Sequence, residues 1–253
     1  MTNRDRTGIV SLCSENQLLA ALAARDRERL AATLERVEFS RGQVLSVSRS
    51  GADHVYFPAN GLFSILATTW DGGTVGVATI ANEGVIGWPV GRDERSFPHR
   101  VVAEVPGVVL KAASDSIGAE FRQSTCLQDV LLRYMPSLFA QVSQSVVCHR
   151  FHNVLQRLAR WLLVVRDKVP SDTLRMTQGD IARVLGIPRT GVTEAAVELK
   201  SAGVIWYRHG RVVIVSRERL EREACECYWA KQPEGESATA SGGRQRASQE
   251  WRR

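Results

Sequence analysis

The sequence predicts an α+β chain in three parts: an N-terminal antiparallel β-barrel, a long helix, and a small domain of two helices with a two-stranded wing. Three observations carry this. Short β-branched runs separated by Gly, Asn, Asp and Pro fill residues 37–111. A helical rhythm takes over after Leu127. Finally, "MTQGDIARVLGIPRTGVTEAAVELKSAGVIWYRHGRVVIV", Met176 to Val215, holds cap, turn and stop signals at the spacing of two short helices and a hairpin.

In order, residues 15–36 place Leu18, Leu22, Leu30 and Leu34 at helical spacing among Ala and charged residues. Runs such as "HVYFP", "LFSILATTW", "TVGVATI" and "VVLKA" then read as strands, and "DGG" at 71–73 is a hairpin cue. Strands at this spacing imply a compact antiparallel barrel or sandwich. Helix resumes near Ser116–Phe121 and becomes long from about 127 to 150. Pro136 lacks an N–H and clashes with the preceding turn of a helix. Its natural place is a first turn, which would start the long helix near Met135. Leu138, Val142, Ser145 and His152, with Phe139 and Val146 alongside, form a stripe suited to a second copy of the helix or to the barrel.

No segment approaches eighteen consecutive apolar residues, so no membrane span is expected, and the N-terminus lacks an apolar signal core. A cytoplasmic location is expected, in which the five cysteines stay thiols. The tail 231–253 has almost nothing to bury and is expected to be disordered.

Charge is unevenly placed. Residues 1–148 carry 14 Lys/Arg against 15 Asp/Glu, whereas 149–222 carry 14 against 7. The last 31 residues balance at 5 against 5. A basic segment joined to a neutral one suggests a polyanion partner for the basic segment alone.

Within that segment Thr177 can cap a helix beginning at Gln178, with Ile181, Ala182 and Leu185 facing inward. Gly186 allows a left-handed turn, Ile187 plugs the gap, and Pro188 starts a second helix that stops at Gly203. Its buried face is Val192, Ala196 and Leu199, which leaves Arg189, Thr190 and Thr193 outward near its N-terminus. "VIWY", "RHGR" and "VVIV" complete a wing. This is a winged helix-turn-helix, whose second helix enters the DNA major groove with its first turn. Arg189 can donate two hydrogen bonds to guanine, while Thr190 and Thr193 suit a phosphate or a thymine methyl. Arg208, His209 and Arg211 on the wing, and Thr177 and Gln178 at the start of the first helix, complete the expected DNA-binding set, with the wing on phosphates.

At these residues the sequence resembles the Crp/Fnr bacterial transcription regulators, over roughly residues 15–228. The resemblance rests on "TQGDIARVLGIPRTGVTEAAVELKSAGVI", on "GRVVIV" behind it and on "RLARWLLVVRDKV" ahead of it. It implies a cyclic-nucleotide-binding-like jelly-roll sensor over 1–150, including a dimerisation helix at about 127–150. A winged helix-turn-helix over 151–230 would follow. It also implies a homodimer on a two-fold symmetric operator of double-stranded DNA, and contact with RNA polymerase. The family's base-reading positions fall on Arg189, Thr190 and Thr193. The catabolite activator type has Arg, Glu and Arg there, so the preferred site should differ.

The sensor departs from the family. Cyclic-AMP-binding members hold the ribose with a Gly-Glu pair and the phosphate with an Arg-Ser pair. Here Gly87 takes the glycine place and Trp88 that of the glutamate, and Arg95-Ser96 is the nearest phosphate pair. The effector pocket is therefore expected not to bind cyclic AMP in the usual way, with the effector unassigned. Two alternatives stand beside this: a cyclic-AMP-gated regulator, and a metal or haem redox sensor using Cys148 and His152, which lie i, i+4 with His149 adjacent. Packed polar residues at a hinge are the plainer reading of that trio. Cys225 and Cys227 read as structural, because no second ligand pair lies nearby in sequence. No metal or cofactor is therefore expected. No Gly-rich phosphate loop beside a lysine, nucleophile elbow or paired metal motif argues for an enzyme. An RNA-binding or protein-binding module using the same basic face is the remaining rival.

Overall fold

The computed structural model describes residues 3–45, 54–87 and 99–231. It begins with α1 (Asn3–Glu15), α2 (Gln17–Ala20) and α3 (Ala24–Ala31), so the helical spacing read over 15–36 resolves into short helices. Asn16 makes the break between α1 and α2. Its side chain is fully buried, donates to the carbonyls of Pro58 and Gly84 at 2.9 and 3.0 Å, and accepts from the N–H groups of Leu18 and Leu19. One residue thus caps α2 and ties the helices to the strands.

The strands are β1 (Glu35–Phe39), β2 (Val44–Leu45), β3 (His54–Pro58), β4 (Leu62–Thr68), β5 (Thr74–Ile80), β6 (His99–Val105) and β7 (Gly107–Ala113). They form two antiparallel sheets, β1-β7-β3 and β2-β6-β4-β5. Among the described residues no ladder joins them, so the unit is a sandwich and not the closed barrel expected. "DGG" does make the β4–β5 hairpin, in which Thr69 N–H donates to Gly73 at 2.9 Å.

Both sheets are covered on both faces, which is why the strands read as nearly continuous apolar runs. Phe39, Phe63, Ile65, Val101 and Val109 meet between the sheets, with Phe39 edge-on to Phe63 at 6.0 Å. Val55, Phe57 and Leu110 point outward under α1–α3, α4 (Ser114–Gln123) and the start of the long helix. On the other side Leu62, Leu66 and Val102 join the core of the C-terminal part.

The long helix α5 (Thr125–Phe151) passes through Pro136 without ending, so the predicted start near Met135 is wrong. Leu132 and Pro136 are both exposed, so the carbonyl that Pro136 cannot satisfy lies on the solvent side. Register also differs from expectation. Leu138 and Val142 pack on the sandwich, and Ser145 donates to the Val77 carbonyl at 2.9 Å. The neighbouring stripe is the one left uncovered: Leu132, Phe139 and Val146, seven apart, are 55, 73 and 64% exposed.

Then come α6 (Val154–Lys168), β8 (Thr173–Arg175), α7 (Gln178–Leu185), α8 (Arg189–Ser201), β9 (Ile205–Arg208), β10 (Arg211–Ile214), α9 (Arg217–Glu223) and a 3₁₀ helix (Glu226–Lys231). This part docks on the sandwich through α7. A Cβ on Gly76 would lie 2.8 Å from Val184, and one on Gly186 would lie 2.8 Å from Val75. Arg183 meets the buried Glu104 at 3.2 Å, and Lys168 pairs with Glu83. Burial pushes the Glu104 carboxyl up to about 6 despite the neighbouring Arg183.

Candidate functional site

The C-terminal face is built by local signals that agree. Thr177 caps α7 in a reciprocal box: its hydroxyl accepts from Asp180 N–H at 3.2 Å, and the Asp180 carboxylate accepts from Thr177 N–H at 3.0 Å. Burial acts to raise the Asp180 carboxyl, but the Thr177 bonds, Arg183 and Arg41 outweigh it and hold it below the usual range. Gly186 ends α7 in the left-handed region at φ 62°. Helix α8 then presents Val192, Ala195, Ala196 and Leu199 to the core, leaving Arg189 and Thr190 exposed at its first turn.

Gln178 joins the two helices at that turn. Its Oε1 accepts from Thr193 Oγ1 at 3.0 Å and lies 3.4 Å from Arg189 Nε. It therefore orients two of the three residues predicted to face bases, Arg189 and Thr193. Thr193 is half-buried, closer to this buttress than to open solvent.

The wing has a third strand that three residues were too few to reveal. Strand β10 pairs with both β9 and β8, and the register sets Arg211 opposite Arg208 on one side and Arg175 on the other. Three exposed arginines thus form one row across the sheet. Arg175 was missed in the sequence because "TLR" is too short to register as a strand. His209 and Gly210 close the β9–β10 turn at φ 49° and 71°, as a two-residue hairpin with both central residues left-handed requires. The Gly210 carbonyl accepts from Met176 N–H at 2.8 Å, which seats the wing turn beside the start of α7. Thr177 and Gln178 therefore sit between the wing and the first turn of α8.

The expected effector residues fare differently. Gly87 is described, at φ 83°, with a Cβ position only 2.7 Å from the His54 carbonyl, so a side chain is excluded there. Trp88, Arg95 and Ser96 lie outside the described residues. The third group of residues is brought together more closely than the sequence suggested. Cys148 and His152 at the end of α5 meet Cys225 and Cys227, and their ligand atoms all lie within 4.8 Å of one another.

With this geometry in view, comparison with known proteins shows what the chain is similar to. In fold, the chain is similar to FixK2 from Bradyrhizobium japonicum, at 16% identity and TM-score 0.65, covering 76% of this chain and 98% of that one. It is equally similar to the c-di-GMP-responsive global regulator CLP of Xanthomonas campestris, at 15% identity and TM-score 0.65, covering 77% and 100%. A CRP-family transcriptional regulator from Thermus thermophilus, TTHB099, matches at 18% identity and TM-score 0.64, covering 74% and 96%. No curated protein sequence matches significantly. Residues 156–223 match the Crp-like helix-turn-helix domain. Residues 156–223 are thus a Crp-like helix-turn-helix domain, set in a fold similar to that of Crp/Fnr transcription regulators.

Proposed function

We propose that the protein is a sequence-specific regulator that binds a two-fold symmetric DNA operator as a homodimer. The observation that carries this is the exposed first turn of α8, with Arg189 held by Gln178, beside a row of three wing arginines. Arg189 reads a guanine in each half-site; Thr190 contributes a phosphate or thymine-methyl contact, and Thr193 positions the turn. Arg175, Arg208 and Arg211, with His209 and Thr177, hold backbone phosphates and set the register without choosing sequence.

The exposed stripe Leu132, Phe139 and Val146 supports the dimer, because a seven-residue repeat is the seam of paired helices. In this reading the sensor covers 1–150 and the DNA-binding domain 151–230, hinged around Arg150–Asn153. The chain works in the cytoplasm, contacts RNA polymerase and performs no catalysis. Its effector pocket, with Trp88 in place of a ribose-binding glutamate, does not take cyclic AMP in the usual way.

Selection from a randomised duplex pool tests the proposal. Enrichment of a two-fold site with half-sites about one helical turn apart is expected. A pool with no enriched site would refute it. Calorimetric titration with cyclic AMP should show no heat; micromolar binding would instead make this a nucleotide-gated regulator.

A further inference from the structure

The four residues at the end of α5 come from two places far apart in the chain. Cys148 and His152 are one helical turn apart, and His152 is the residue that ends α5. Cys225 and Cys227 flank the start of the 3₁₀ helix, 77 residues beyond Cys148 in the case of Cys225. That segment is fixed independently of the cysteines. Tyr228 donates to Asp167 on α6 at 2.6 Å and accepts from Arg217 at 2.8 Å, and Arg217 also pairs with Asp167 at 2.8 Å.

Their spacing matches a single ion. Cys148 Sγ and Cys225 Sγ are 3.6 Å apart, and Cys227 Sγ lies 3.5 Å from His152 Nδ1. Zinc–sulfur bonds of about 2.3 Å and zinc–nitrogen bonds of about 2.0–2.1 Å give a tetrahedron with S–S edges of about 3.8 Å and S–N edges of about 3.6 Å. A disulfide would need its sulfurs at about 2.05 Å. An iron–sulfur cluster spreads its ligands over separate irons, whereas here all four ligand atoms converge within 4.8 Å. Cys148, Cys225 and Cys227 are all buried, which leaves no room for a haem face.

The surroundings have the form that a ligating histidine requires. The other ring nitrogen of His152, Nε2, lies 3.0 Å from a carboxylate oxygen of Glu226, the residue between the two cysteines. Such a pair fixes the tautomer that leaves Nδ1 as the ligand. Gln144 Nε2 donates to Cys227 Sγ at 2.8 Å. Three thiolates and one zinc ion leave a net negative charge, and Arg157 and Arg160 of α6 face it. The Nε of each is buried and makes no hydrogen bond.

We propose that Cys148, His152, Cys225 and Cys227 form a tetrahedral Zn²⁺ site that clamps the segment after α9 onto the end of α5. Binding displaces three thiol protons to solvent and leaves His152 neutral. The site is closed, with four protein ligands and no open position, so its role is to hold and not to catalyse. The site stands independently of the DNA-binding reading, because its test uses no DNA.

The test is a titration of reduced, chelator-stripped, untagged full-length protein with Co²⁺ alone, then with Zn²⁺. One equivalent of cobalt per chain should give thiolate charge-transfer and tetrahedral ligand-field absorption, both removed by zinc. Zinc should also protect three of the five cysteines from alkylation. Glu226→Gln should keep the stoichiometry and weaken zinc binding by about 10–100-fold. The Cys225→Ser, Cys227→Ser double variant should lose the spectrum, and Cys126→Ser should keep it. Absence of the cobalt spectrum in the unaltered protein would overturn the site. So would zinc protection of fewer than three thiols, an unchanged spectrum in the double variant, or a Cys148–Cys225 disulfide formed in preference to metal uptake.

Discussion

Glu104→Gln gives the most direct test of how the C-terminal part is held against the sandwich. Glu104 is 1% exposed and meets Arg183, which is also within 3.3 Å of Asp180. Burial raises the Glu104 carboxyl from 4.5 to about 6, so desolvation outweighs the attraction of Arg183. By linkage, the folded chain binds this proton more tightly than the unfolded chain does. The contribution is therefore fully present below pH 4.5 and is lost as the pH rises through about 6. The difference amounts to about 2 kcal/mol by pH 8, since each pKa unit corresponds to about 1.4 kcal/mol. Glutamine keeps an acceptor for Arg183 and removes the buried charge. It should raise unfolding stability at pH 8 by up to about 2 kcal/mol and change it little near pH 4.5. Urea unfolding of both proteins across this range measures the effect. A variant less stable than the parent at pH 8, or an advantage independent of pH, would refute the reasoning.

Other outcomes follow from the same geometry. Gly76→Ala sets a Cβ 2.8 Å from Val184 backbone and side chain, and should destabilise the chain by about 1–3 kcal/mol in urea unfolding. Phe139→Glu should give a monomer in sedimentation without loss of folding, because Phe139 is 73% exposed in the single chain. Arg189→Ala should relax preference at one base pair per half-site, by about 1–3 kcal/mol in competition binding. Arg211→Ala should weaken all sequences alike and make the salt slope of a dimer shallower by about 2, since each chain loses one phosphate contact.

What the sequence revealed divides by how local the signal is. Thr177, Gly186, Pro188 and Gly203 each act within a turn of their own position, so the two helices and their exposed residues could be read directly. The long helix could be read too, but not its facing. Leu138/Val142 and Phe139/Val146 are adjacent apolar stripes, each at helical spacing, and only the sandwich decides which is covered. The break at Asn16 depends on carbonyls 42 and 68 residues away, beyond any local pattern. Cys225 and Cys227 look solitary for the same reason, since their companions lie on another helix. In the wing, Arg175 becomes legible only through its register with Arg211.

Docking through α7 has a consequence for control. The segment turned toward the sandwich carries Arg183 and Val184, while Arg189, Thr190, Arg208 and Arg211 stay open to solvent in the same arrangement. The proposed reading surface is already bare in this arrangement, so unmasking it is not what a signal would do. In the proposed homodimer a signal would instead alter the separation and tilt of two such surfaces, which must together match the pitch of the double helix.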